Sequence, residues 1–188
     1  MVTGRPSAQL PIPRGRHAPP LEVRLEVEKQ RLFDAAAEVF SRAGYAEASA
    51  EAISRQAGMS KATFYEHFSD KEECLLALFE YASATLLEAL MQASRGADRD
   101  YHARHRAGLR AILETLEANP TMAQAILVET VGAGPRVADL RDTALSGFAQ
   151  AMYEATREAA TGHPAQMFDL LPLVERLILG LLSQPHSS

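Results

Sequence analysis

From about residue 22 onward the apolar positions recur at helical spacing. Leu32, Phe33, Ala36, Val39 and Phe40 share one face of a helix whose other face is charged, as expected of a helix packed on a core. Gly44 ends it, since glycine accepts the positive φ that follows a helix. Ser49 is placed to cap a second, short helix through Ala57, which Gly58 closes, and Ser60 to cap a third over Lys61 to His67. Ser69-Asp70-Lys71-Glu72 reads as a capping box with its acid three residues after the serine. It opens a fourth helix with the stripe Leu75, Phe79, Ala82, Leu86 and Leu90. Further helices are predicted over 101–118, 121–131, 136–160 and 166–183, separated by Asn119-Pro120, Gly132 to Pro135 and Gly162 to Pro164. No stretch alternates with the period of a strand and nothing repeats at a fixed interval. The predicted fold class is all-α.

Composition agrees: among 188 residues Ala and Leu dominate, β-branched residues are sparse and Trp is absent. The first twenty residues differ. They hold five of the ten prolines, Arg5, Arg14 and Arg16, and no acid, which predicts a disordered basic arm. The net charge of −5 is also uneven. Residues 1–71 carry 10 Lys plus Arg against 9 acids, whereas 72–188 carry 9 against 15. Any contact with phosphate therefore belongs to the N-terminal part. No apolar run approaches the ~18 residues of a spanning helix and the start lacks a signal-peptide profile, so a cytoplasmic protein without a membrane partner is expected. A single cysteine, Cys74, excludes an internal disulfide framework. Placed beside Glu72 and Glu73, it reads as an inert, partly buried thiol.

Residues 52–72, AISRQAGMSKATFYEHFSDKE, raise the question of function. Gly58 allows two helices to meet at a sharp angle, Ala57 lets their backbones approach, and Ile53, Met59, Phe64 and Phe68 supply apolar plugs. This is the layout of a helix-turn-helix. With Phe64 and Phe68 turned inward, the other faces of the third helix should present Lys61, Ala62, Thr63, Tyr65 and His67 to solvent. These are groups suited to phosphate oxygens and base edges. A bare pattern of this kind is also shared by helical pairs that bind no nucleic acid.

The longer segment from Gly44 to Leu75 resembles the N-terminal DNA-binding domain of the TetR family of bacterial transcriptional repressors. The pattern is matched at Gly44, Tyr45, Ser49, Ile53, Ala57, Gly58, Ser60, Thr63, Tyr65, His67, Phe68, Lys71 and Glu72. The resemblance implies base contacts from Lys61 and Ala62 and phosphate contacts from Thr63, Tyr65, His67 and Lys71, with Ser49 and Ser60 completing the DNA-binding set. Lys71 also opens helix four, where free amides favour an anion. Ala48 stands where the family usually has a phosphate-binding Thr, Ala52 where it has the capping acid, and Ser54 where it has a small apolar residue.

The implied organisation is an arm over 1–20, a three-helix helix-turn-helix domain over 21–71, and a helical effector-binding and dimerisation domain over 72–188. The expected partners are double-stranded operator DNA, a small-molecule effector and a second copy of the chain. Effector-pocket candidates are Phe79, Tyr81, Tyr101, Met122, Gln124, Phe148, Met152 and Tyr153, a mix of aromatic, Met and polar groups, each of which could equally be plain core. The last two long helices would form the dimer interface, with only Thr161 to Met167 between them. His102 and His105 share a helix face among Arg99, Arg104, Arg106 and Arg110, which reads as a solvated basic face rather than a metal site. Neither a phosphate loop nor a nucleophile constellation is apparent, so no enzyme activity, cofactor or metal is expected. The function implied is ligand-responsive repression. The alternative is a helical adaptor of the same fold acting through protein contacts.

Overall fold

The computed structural model describes residues 20–96, 101–131 and 133–157, with the side chains of Tyr101, Met152 and 155–157 excepted. The predicted arm over 1–20, except its last residue, and the helix expected over 166–183 lie outside that set, as does the end of the helix expected over 136–160. Seven helices are described: α1 (Leu21–Glu47), α2 (Ala50–Gln56), α3 (Lys61–His67), α4 (Lys71–Gly96), α5 (Tyr101–Ala118), α6 (Pro120–Leu127) and α7 (Pro135–Arg157). Among the described residues there is no strand, and the all-α expectation holds.

The stripe read from the sequence is the buried face of α1, where Leu32, Ala36, Val39 and Phe40 are almost wholly enclosed. Gly44 breaks that helix at φ 79° and ψ 157°, and one further turn continues to Glu47. Ile53, Ala57, Phe64 and Phe68 close on α1 from α2, α3 and the turns that follow them, and Cys74, Leu75 and Leu78 from the start of α4. This core continues past α4 to Ala125, Ala133 and Val137. A second cluster of Phe79, Ala82, Leu86 and Ile126 packs against residues of α5 and α7.

Three expectations need correction. Helix six was predicted over 121–131 but ends at Leu127, after which a turn runs through Val131. That turn lets Glu129 leave the helix and accept the Tyr45 amide at 2.8 Å, a contact 84 residues away that no local pattern encodes. His105, expected on a solvated face, is buried at 6% exposure. The cause is Gly108 one turn on, which lies so close to α4 that a Cβ there would stand 2.8 Å from Ser94 Oγ. Third, α4 does reach the length and apolarity of a spanning helix. Its apolar face is buried, with Cys74, Leu75 and Leu78 in the first core, Phe79, Ala82 and Leu86 in the second, and Leu90 enclosed beyond them, as in the core helix of a folded domain.

Cys74 is fully enclosed. Burial first, and then the charge of Glu73, pushes its thiol from 9.0 up to about 12. The thiolate fraction at pH 8 then falls by about a thousandfold. Alkylation by iodoacetamide, followed by intact-mass spectrometry, should be slowed to that degree in the native protein and become fast in urea. The unfolded chain ionises this thiol first, so stability should decline as pH rises from 9.0 towards about 12.

Candidate nucleic-acid interface

Ser49 has extended backbone and its Oγ accepts the Ala52 amide at 3.2 Å, which starts α2. The helix stops in a Schellman turn: Met59 N–H reaches Ser54 O, Gly58 N–H reaches Arg55 O, and Gly58 takes φ 66°. From α1, Arg31 donates to the Ala57 carbonyl at 2.8 Å and satisfies the end of α2. Ser54, which stands where a small apolar residue was expected, returns its hydroxyl to Ala50 O at 2.6 Å.

Ser60 caps α3. Its Oγ accepts the Thr63 amide at 3.1 Å and lies 2.9 Å from the Thr63 hydroxyl. Phe64 and Phe68 anchor the opposite side, with ring centroids 5.5 Å apart and Phe33 5.9 Å from Phe68. The outward face then consists of Lys61, Ala62, Tyr65 and Glu66. Tyr65 is half-exposed and stands edge-on to Phe64, and the Lys61 ammonium is 5.8 Å from its ring centroid.

The predicted outward set was therefore only partly right. Thr63 is half-buried in the cap, and the His67 side chain, 8% exposed, turns back to Glu28 of α1 at 3.5 Å. Glu66 takes the place on the outward face that was expected for His67. An exposed acid four residues after Ala62 was visible in the sequence. The inward turn of His67, made by a residue 39 positions away, was not.

The start of α4 is capped one residue later than predicted. Asp70 accepts the Glu73 amide at 2.8 Å, and Glu73 accepts the Ser69 amide at 2.7 Å. The Ser69 hydrogen bonds hold the Glu73 carboxyl below its ordinary value. The protein's own carboxylates thus serve this helix start. Lys71 meanwhile spends all three donors on backbone: its ammonium binds the carbonyls of Tyr45, Ala46 and Ala48 at 2.8, 2.9 and 3.0 Å and lies 4.7 Å from the Tyr45 ring centroid. Burial, and then the charges of Glu72 and Asp70, push the Tyr45 phenol up from its ordinary value. The turn between α1 and α2 is consequently gripped from two sides, by Lys71 of α4 on its carbonyls and by Glu129 of the turn after α6 on the Tyr45 amide.

Of the eight pocket candidates, Phe79, Met122 and Phe148 pack in the second core. Gln124 is half-buried, while Tyr81 and Tyr153 are exposed at 40% and 37%. The side chains of Tyr101 and Met152 lie outside the described residues. A cleft of about 360 Å³ lies between α1, α4 and the α5–α6 turn, and Tyr81 and Met122 line it together with Phe33, Asp34, Glu38 and Leu78.

Comparison with known proteins bears on the same elements. The family described as "Bacterial regulatory proteins, tetR family" matches residues 32–78, from the buried face of α1 to the first turns of α4. The HTH-type transcriptional activator FasR of Mycolicibacterium smegmatis is 36% identical over 96 residues, which is 50% of this chain and 43% of that protein. The Bacillus subtilis fatty acid metabolism regulator protein is 33% identical over 60 residues, 32% of this chain and 31% of its own. The chain thus spans less than half the length of these curated relatives in its matches. Among solved structures, the fatty acid degradation regulator FadR from Bacillus halodurans superposes with a TM-score of 0.68 at 23% identity, covering 82% of this chain and 79% of that one. The likeness to the tetR family of bacterial regulatory proteins thus rests on residues 32–78, the segment in which Gly58, Ser60 and the two phenylalanines set α3, and the fold is shared with the solved regulator.

Proposed function

We propose that the chain is a cytoplasmic DNA-binding transcriptional regulator, a homodimer that represses by occupying a near-palindromic operator and leaves it on binding a small molecule. The observation that carries this reading is the outward face of α3. Lys61 and Ala62 can approach base edges in a major groove, Tyr65 can donate to a phosphate, and Glu66 can accept from a cytosine amine. A single seven-residue helix reaches few bases, so specificity needs two copies about 34–36 Å, or a multiple of that, apart. We assign dimerisation to α7 and the helix expected over 166–183, and DNA reading to 21–71. The solved transcriptional regulator FadR of Bacillus subtilis, held in complex with stearoyl-CoA, makes fatty acyl thioesters the first effector class to test.

Selection from a random duplex library, followed by binding of the selected site across a salt series, tests the proposal. A steep fall of affinity with salt and an enriched inverted repeat are expected. Failure to enrich any sequence would favour the adaptor reading. In the same assay Tyr65→Phe should weaken the selected site and random duplex alike, by about two- to tenfold, since one hydrogen bond to phosphate is lost and no base contact. Loss confined to the selected site would give Tyr65 a base contact instead.

A further inference from the structure

The cleft between α1, α4 and the α5–α6 turn has the makings of a binding site distinct from the packed second core. Its volume of about 360 Å³ is within the range of small-molecule sites. One wall is aromatic: Tyr81, 40% exposed, lies with its ring centroid 5.2 Å from that of buried Phe33, and Leu78 and Met122 extend the apolar surface. The other wall is anionic. Asp34 and Glu38 stand one helical turn apart on α1 and both are exposed. The hydrogen-bond partners of these carboxylates are neutral amides, Gln30 for Asp34 and Gln56 for Glu38, and neither is in an ion pair among the described residues. The ring pair already has a cation beside it, as the Lys29 ammonium lies 5.5 Å from the Phe33 centroid.

An apolar surface facing paired carboxylates suits a ligand with an apolar or aromatic body and a positive charge, through hydrophobic contact, Coulomb attraction and cation–π contact together. It is the wrong sign for an acyl thioester. We propose that this cleft binds amphipathic organic cations, with the charge at Asp34 and Glu38 and the body against Tyr81, Leu78 and Met122. Such a ligand would touch α1 of the DNA-reading unit and α4 and α6 behind it at once, and so bear on how the two are held together.

Tetraphenylphosphonium titrated into the full-length protein, followed by isothermal titration calorimetry, tests this directly. Neutral triphenylphosphine oxide serves as the uncharged counterpart. The cation should bind at least tenfold more tightly than the oxide. Asp34→Asn combined with Glu38→Gln should lower its affinity at least tenfold while leaving the thermal midpoint unchanged, because both replacements keep an oxygen to accept from Gln30 and Gln56. Tyr81→Ala should lower it comparably. Absence of binding, equal binding of the oxide, or unchanged affinity in the double variant would each overturn the proposal. None of these readouts involves DNA, so the outcome is independent of the operator experiment.

Discussion

Phe64→Ala should destabilise the protein by about 3–5 kcal/mol, the range for removing a fully buried aromatic side chain. Phe64 has no exposed surface and contacts Tyr65 edge-on and Phe68 face-tilted. A helix of seven residues has too few hydrogen bonds to persist alone, so α3 exists because Phe64 and Phe68 fasten it to α1. Against a typical total of about 5–15 kcal/mol, the loss is large enough to leave much of the protein unfolded in a marginal case. Urea unfolding followed by circular dichroism gives the value, with Phe64→Leu as a milder control near 1 kcal/mol. Retained stability in the alanine variant would mean that something other than the aromatic anchor holds α3.

Lys71→Met should have the next largest effect, and it separates two roles for this residue. The ammonium binds three carbonyls at the end of α1. Removing it strands those oxygens, a loss of about 2–4 kcal/mol when hydrogen bonds to a charged donor are broken in a partly buried setting. The turn they belong to leads directly into Ser49, the cap of α2, so operator affinity should fall as well. If Lys71 acts through that turn, the slope of log affinity against log salt stays as in the wild type. If its side chain contacts phosphate, as the family resemblance implies, the slope drops by about one. Lys71→Arg should recover part of the stability and none of the fine geometry, since a planar fork cannot reproduce three converging donors.

What the sequence made legible was mostly what is decided within one turn of helix. The stripe on α1, Ser49 and Ser60 as caps, and the glycine closing α2 all depend on neighbours three to six residues away. Even there a choice between adjacent candidates was missed: Ser69 and Asp70 can each cap, and Asp70 does so because Glu73, not Glu72, returns to the preceding amide. Thr63, drawn into the cap by Ser60 three residues before it, is a second local miss, and the other misreadings involve distant partners. His67 faces inward because Glu28 meets it, α6 ends early because Glu129 is drawn to Tyr45, and His105 is covered because Gly108 brings α5 against α4. The grip of Lys71 on the end of α1 was hidden for the same reason, as its three acceptors lie 23 to 26 residues before it. Periodicity records which face of a helix is apolar. It does not record which polar side chain another element will capture.

The reach of the first core past α4 sets a limit on taking this protein apart. A fragment ending at residue 71 would carry Leu32, Phe40, Ile53 and Phe64 but would lack Cys74, Leu75, Leu78, Ala125, Ala133 and Val137 from the same cluster. It would also lose Glu129, leaving the Tyr45 amide to water. Transplanting the α1–α3 unit onto a different sensor would therefore place its seam through packed side chains. A chimera with a working seam has to carry α4 beyond Leu78 and bring small apolar residues to the positions of Ala125, Ala133 and Val137, with an acceptor where Glu129 stands. By this criterion the reading head and its support are one manufactured part, and exchangeability begins only further along α4.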